Sequence, residues 1–184
     1  MRKPRILMKD AVYHVTARAN RGEMIFCSPA IRRFFLAFLE KAKKKYPSSI
    51  LNFCVMGNHI HFIIRPKNED ALPKIMQWIL GNFAKAWNKL HGVRGHLWAG
   101  RYFSKIIEEF KAFLKTFDYI CQNPVKARLV GSAEEWEFGG LWHFIKQKRE
   151  ILDVHLCIET LYRAYYRFLP TKLSSSSNIQ KDEN

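Results

Sequence analysis

The segment ILNFCVMGNHIHFIIRP, residues 50–66, limits the choice of fold more than any other part of the chain. It contains two apolar runs separated by Gly57 and Asn58, and a Gly/Asn pair in this setting is a signal for a two-residue turn. Pro66 ends the second run, because proline cannot donate a hydrogen bond to a neighbouring strand. The segment therefore predicts a β-hairpin around which the rest of the chain is organised.

Two histidines, His59 and His61, interrupt the second apolar run. Alternate residues of a strand share a face, so both imidazoles point to one side while Ile60, Phe62 and Ile64 point to the core. Two imidazoles on one face of a rigid strand can bind a single divalent ion. Spacing alone leaves the alternative open, in which the two histidines are partly exposed and only form hydrogen bonds.

The remaining periodicity predicts further strands and helices on both sides of the hairpin. Ser28 is the expected N-cap of a first helix, with Pro29 at its first position. The other predicted elements are strands at residues 11–19 and 101–109 and helices at about residues 72–90, 111–122 and 151–168, with Pro124 closing the third helix. This order predicts an α+β fold of ferredoxin-like or RRM-like type, in which helices pack on an antiparallel sheet and extra helices follow at the C-terminus.

The charge balance points to a polyanionic partner. The 184 residues carry a net charge of +15, and phosphate neutralisation by Lys and Arg dominates nucleic-acid binding. The four cysteines form no C-x-x-C pair, which argues against a zinc knuckle or a thioredoxin-type site. We find no signal peptide and no apolar run long enough to span a membrane, and expect a reduced, cytoplasmic, nucleoid-associated protein without a membrane partner.

The segment FDYICQNPVKARLV, residues 117–130, supplies a candidate nucleophile. Tyr119 and Asn123 are four residues apart and share one helix face. If that face lies across the sheet, Tyr119 can approach a metal on the histidine pair, and the Asn123 amide oxygen can add a ligand. The alternatives are a tyrosine at the edge of the core and an asparagine in a turn or C-cap.

These residues together resemble a known family. CVMGNHIHFIIRP is similar to the histidine–hydrophobic–histidine (HUH) motif of single-tyrosine transposases, and DYICQNPVKARLV resembles the tyrosine helix of their REP-associated branch. YHVTARANRGEMIF and GHLWAGRYFSKII agree with the same branch, so the resemblance covers residues 13–130. Beyond them, Glu-Phe-Gly follows Trp136 where family members often have Ser-Ser, and the resemblance weakens.

The resemblance implies a DNA transposase with single-stranded endonuclease activity. Tyr119 would attack a phosphodiester of hairpin-bearing single-stranded DNA to form a 5′-phosphotyrosine, and the freed 3′-hydroxyl would later rejoin strands. His59, His61 and Asn123 would hold Mg or Mn. Residues 1–130 would form the HUH catalytic domain, residues 131–170 a helical extension and residues 171–184 a disordered tail.

Three other functions stay open at this stage: a domesticated, non-catalytic protein that binds DNA hairpins in a regulatory role, a metal-dependent nuclease that uses water, and an RNA-binding module. We expect a monomer, although related insertion-sequence enzymes form homodimers that share their tyrosine helices. Basic residues near strand ends or motif segments are candidates for the phosphate backbone, and three aromatic residues are candidates for stacking on unpaired bases. They are Arg18, Arg21, Arg65, Arg101, Lys105, Lys126 and Arg128, with Trp98, Tyr102 and Phe103.

Overall fold

The sheet and the helices that cover it follow the predicted order. The computed structural model describes residues 7–68 and 71–167. Within them the elements are β1 (Tyr13–Arg18), α1 (Pro29–Lys45), β2 (Ser48–Val55), β3 (His59–Pro66), α2 (Ala71–His91), β4 (Phe103–Ile106), α3 (Phe110–Lys126), α4 (Gly140–Ile145) and α5 (Leu156–Arg167). The strands form one antiparallel sheet in the order β2-β3-β1-β4. The predicted α+β fold with C-terminal helices is confirmed.

The predicted hairpin is formed by β2 and β3. They pair along their length, and the Met56 N–H donates to the His59 carbonyl at 2.9 Å to close a turn over Gly57 and Asn58. The pairing register shifts between Ile50 and Asn52, a bulge in β2. The turn thus places His59 at the first position of β3 and His61 two residues later.

Strand β1 lies between β3 and β4 and gives the sheet two chemically different faces. Val15 and Ala17 are buried on one face opposite Phe62 and Ile60, and they belong to the same core as the buried faces of α1 and α2. In the same register Thr16 is opposite His61. The second face of β1 and β3 is therefore polar and carries the histidines.

Helix α1 begins as predicted, with the Ser28 hydroxyl accepting from the Ile31 N–H at 3.3 Å and Pro29 at the first position. Its Phe35 packs against Phe26, which precedes α1, with ring centroids 5.1 Å apart. Phe35 also packs against Phe83 of α2, with ring centroids 4.9 Å apart. All three rings are fully buried. This aromatic cluster covers the apolar face and leaves the polar face to α3.

Helix α3 does not end before Pro124 as predicted; it continues to Lys126. A proline this near a helix C-terminus removes only one hydrogen bond, and Pro124 is buried. The turn that follows is closed by the N–H groups of Ala127 and Arg128, which donate to the carbonyls of Asn123 and Val125 at 3.0 and 2.9 Å. These bonds hold the helical conformation through the proline.

The last helix starts later than predicted, at Leu156, and the predicted end at residue 168 lies outside the described residues. The preceding residues instead cover the free edge of β2. The Asp153 N–H donates to the Ile50 carbonyl at 2.8 Å, and its carboxylate accepts from the Ile50 N–H at 3.0 Å. The Phe138 carbonyl accepts from the Val55 N–H at 2.9 Å. Pairing with the edge strand holds these segments extended.

The predicted division into a catalytic domain, an extension and a tail stays a prediction, and residues 171–184 lie outside the described part of the chain. Helix α4 has no counterpart in the sequence prediction. In the ranges 7–68 and 71–167, no helix has both the length and the apolar character needed to cross a bilayer.

Candidate active site

Three histidines and one tyrosine meet on the polar face of the sheet. The His59 and His61 rings have centroids 4.9 Å apart, as their alternate positions on β3 predict. The His61 ring lies 5.4 Å from the Tyr119 ring, edge to face. His14 of β1 stacks on His61 at 5.3 Å. The predicted convergence of the histidine pair and Tyr119 is therefore present.

Helix α3 is fixed in this position from two sides. On the sheet side, the buried Asn52 amide lies 3.4 Å from both the Phe117 carbonyl and Cys121 Sγ. On the other side, the Tyr165 hydroxyl of α5 donates to the Asp118 carboxylate at 2.7 Å. Tyr119, between these anchors, is 42% exposed, so its side chain is accessible beside the histidines.

Asn123 lies one helical turn after Tyr119 and reaches the same place. Its amide donates to the Tyr119 carbonyl at 3.3 Å. Its side chain also interacts with His59, where it partly opposes the lowering of the His59 pKa by burial and the Arg18 charge. Asn123 is therefore beside His59, and its role as a third ligand stays a prediction.

The site keeps its imidazoles neutral at physiological pH. Burial, followed by the charge of Arg18, lowers the pKa of His59 despite the opposing bond from Asn123. Burial, aided by His59, His14 and Arg18, lowers the pKa of His61 to about 3. Burial and the Lys105 charge lower the pKa of His14. Neutral imidazole is the form that binds a metal ion.

The donor atoms fit a divalent metal ion. His61 Nδ1 has close polar neighbours, whereas its buried Nε2 has no hydrogen-bond partner within the described residues. A buried polar atom without a partner is costly, and a metal bond would satisfy it. Among residues 7–68 and 71–167 no three His, Cys, Asp or Glu side chains could hold a metal together. A third protein ligand beside His59 and His61 would thus be of another type, as the Asn123 amide is.

The predicted phosphate contacts lie at different distances from this centre. Lys126 has its ammonium 5.8 Å from the centroid of the Tyr119 ring. Arg18 is exposed beside His59, and Lys105 of β4 pairs with His14 across the sheet. The other basic candidates are also exposed; they are Arg21, Arg65, Arg101 and Arg128.

The three aromatic candidates for base stacking differ in exposure. Trp98 is half-buried, its indole N–H donates to the Leu80 carbonyl at 3.0 Å, and its free side borders a shallow groove with Arg101. Tyr102 is buried, whereas Phe103 is 61% exposed. Exposure favours Phe103 as a stacking surface, and the role of Trp98 in DNA binding stays a prediction.

His14 and Thr16 belong to the site, although neither was among the predicted site residues. The sequence did carry one signal for them: they alternate with Val15, which places both side chains on one face of β1. Their contact with His61 depends on β1 pairing with β3, and the sequence does not specify that long-range register. Only the folded sheet brings the three side chains together.

Comparison with known proteins agrees with the fold. The curated "Putative REP-associated tyrosine transposase" of Haemophilus influenzae is 21% identical over 148 residues, which is 75% of this chain and 84% of that protein. A solved structure of a REP-associated tyrosine transposase bound to a REP hairpin superposes with a TM-score of 0.66 at 20% identity, covering 83% of this chain and 88% of that one.

The family described as "Transposase IS200 like" matches residues 8–123. That range contains the four strands, the histidine pair and the tyrosine helix up to Asn123. The chain belongs to the IS200-like transposase family.

Proposed function

We propose that this chain cleaves and rejoins single-stranded DNA beside a hairpin, through a covalent 5′-phosphotyrosine on Tyr119. The observation that carries the proposal is the position of Tyr119, half-exposed and edge-on to His61 at 5.4 Å. A tyrosine in the core would have a buried hydroxyl, whereas this one lies beside potential metal ligands and is open to a substrate. Membership of a transposase family supports the same chemistry.

The first step forms one bond and breaks another at phosphorus. The Tyr119 oxygen loses its proton and bonds to the phosphorus, and the bond to the 3′-oxygen of the upstream nucleotide breaks. That oxygen takes up a proton and leaves as a 3′-hydroxyl. The bond energy is kept in the phosphotyrosine, so a 3′-hydroxyl can reverse the step and join strands without an external energy source.

His59, His61 and Asn123 would hold a divalent ion, Mg or Mn. When bound, such an ion polarises the phosphate and neutralises charge that develops on its oxygens. The Lys126 ammonium near the Tyr119 ring would add positive charge where the phosphate binds.

The proposed substrate follows from charge and from the related structure. That relative is bound to a REP hairpin, and this chain carries a net charge of +15. Arg18, Lys105 and Lys126 border the histidine–tyrosine cluster and would place a single strand across it. We expect the hairpin stem to lie against the more distant basic residues.

A covalent-adduct assay tests the proposal. The protein is mixed with labelled hairpin DNA from the flanks of its own gene and Mn²⁺, and the products are separated on a denaturing gel. We expect a slower protein–DNA band that is lost in Tyr119→Phe and His61→Ala. The matched control is Tyr46→Phe, which removes the hydroxyl of a tyrosine at the C-terminal end of α1, distant in sequence from Tyr119. This variant should keep the band.

The other outcomes separate the alternative functions. Cleavage that survives Tyr119→Phe would indicate water as the nucleophile and would contradict the phosphotyrosine mechanism. Tight hairpin binding without cleavage in any divalent metal would indicate a regulatory DNA-binding protein. Asn123→Asp keeps an oxygen ligand and should keep cleavage, whereas Asn123→Leu should lose most of it.

A further inference from the structure

Within the described residues, His61 is the ring of the histidine pair that contacts both His14 and Thr16 of β1. Its Nδ1 lies 3.1 Å from His14 Nε2 and 3.1 Å from Thr16 Oγ1. These two atoms are 3.4 Å apart, so the three form a closed triangle of polar atoms. The Nε2 on the far side of the ring has no partner within the described residues.

We propose that His14 and Thr16 are positioning residues that hold His61 in the tautomer with the proton on Nδ1, so that Nε2 is free to bind a metal ion. This inference rests on the proposed function, because it gives His61 the role of metal ligand. Neither His14 nor Thr16 is a ligand in it; both act through His61.

The proton assignment follows from the atoms around the ring. A neutral imidazole carries one proton, and the nitrogen without it is the metal donor. With the proton on Nδ1, His61 donates to His14 Nε2 or to Thr16 Oγ1. With the proton on Nε2, a buried donor would have no acceptor, which is the costlier arrangement.

The sheet makes this arrangement rigid. Thr16 is directly opposite His61 in the β1–β3 ladder, and His14 is on the same face two residues away. The His14 and His61 rings also stack with planes 17° apart. A hydrogen bond from the second nitrogen of a ligand histidine fixes ring orientation and raises ligand basicity, and its loss typically lowers metal affinity about 10- to 100-fold.

His14→Phe/Thr16→Val removes both acceptors and keeps a stacked ring and a β-branched side chain. His14→Gln is the conservative variant, because its amide oxygen can occupy the place of the imidazole Nε2. The matched control is His155→Phe/Thr160→Val, which makes the same two changes at exposed positions near and within α5.

The first readout needs no metal. In ¹⁵N-histidine-labelled protein at pH 7.5, two-bond nitrogen–proton correlations report which nitrogen of His61 is protonated. We expect the Nδ1–H tautomer in the wild type, in His14→Gln and in the control, and the Nε2–H tautomer in His14→Phe/Thr16→Val. An unchanged tautomer in that double variant, or Nε2–H in the wild type, would overturn the inference even if the chain is a transposase.

The second readout is Mn²⁺ affinity, measured by the loss of the free-ion EPR signal. The double variant should bind Mn²⁺ about 10- to 100-fold more weakly, with His14→Gln and the control close to the wild type. Equal affinities in all variants would overturn the positioning role. A wild type that binds no Mn²⁺ would overturn the metal part of the proposed function and this inference with it, whereas the tautomer readout would still report on the hydrogen bonds.

Discussion

The rings of Tyr119 and His61 meet edge to face, with centroids 5.4 Å apart and planes at 89°. Tyr119 belongs to α3 and His61 to β3, so this contact joins the helix to the centre of the sheet. Asn123 follows on the same helix face and reaches His59. The proposed nucleophile and the proposed metal ligands are therefore held by two rigid elements, which favours chemistry that needs fixed distances.

Lys126 should affect the rate of adduct formation through its charge. Its ammonium lies 5.8 Å from the Tyr119 ring centroid, where it would attract the phosphate of a bound strand. Replacing it with Gln should slow single-turnover adduct formation about fivefold, equivalent to about 1 kcal/mol for a partly screened charge.

Lys126→Arg should keep most of the rate, and Lys111→Gln, at an exposed lysine in the first turn of the same helix, is the charge-matched control. Equal rates for Lys126→Gln and Lys111→Gln would show that the Lys126 charge has no local role.

Gly140 should be a position where one added carbon destabilises the chain. A Cβ there would overlap the side-chain oxygen of Asn52 and the hydroxyl of Tyr162, both fully buried. Gly140→Ala should therefore lower the free energy of unfolding by about 1–3 kcal/mol in urea titrations.

Gly81→Ala is the matched control, because nothing lies within 4 Å of a Cβ at that position. Alanine is the better helix former, so this change in α2 should raise stability by up to about 1 kcal/mol. Equal effects at Gly140 and Gly81 would contradict the close packing of α4 on β2.

His143 should make stability depend on pH. Burial, followed by the Lys148 charge, lowers its pKa to about 4, against about 6.5 in the unfolded chain. The unfolded state therefore binds more protons between these values, and the stability contributed by neutral His143 is complete above about pH 6.5 and is lost as the pH falls towards 4.

The comparison variant is His143→Phe, whose ring can keep the contact with Phe53, now 5.0 Å between ring centroids. Between pH 7 and pH 5 the wild type should lose about 2 kcal/mol more unfolding free energy than this variant. The other buried histidines are present in both proteins, so parallel pH profiles would exclude His143 as the source.

The sequence was sufficient for local features whose signals lie within one segment. The Gly57-Asn58 turn and the alternation after it placed His59 and His61 on one face, and the helical spacing placed Tyr119 and Asn123 together. These follow from the periods of the strand and the helix, which do not depend on distant contacts.

Features that depend on distant pairing could not be predicted in this way. The position of His14 beside His61 requires the β1–β3 register, and the extended conformation of Asp153 requires the free edge of β2. Pro124 was expected to end α3, but backbone bonds after it keep the turn helical. The deep burial of His61 likewise depends on how α3 covers the sheet.

The most direct measurement for the central claim is to locate the DNA on the protein. After reaction with hairpin DNA and Mn²⁺, nuclease and trypsin digestion leave a nucleotide on one peptide, and mass spectrometry identifies the residue that carries it. We predict the peptide of residues 116–126, modified at Tyr119. A nucleotide on any other residue, or strand cleavage with no covalently modified peptide, would contradict the account.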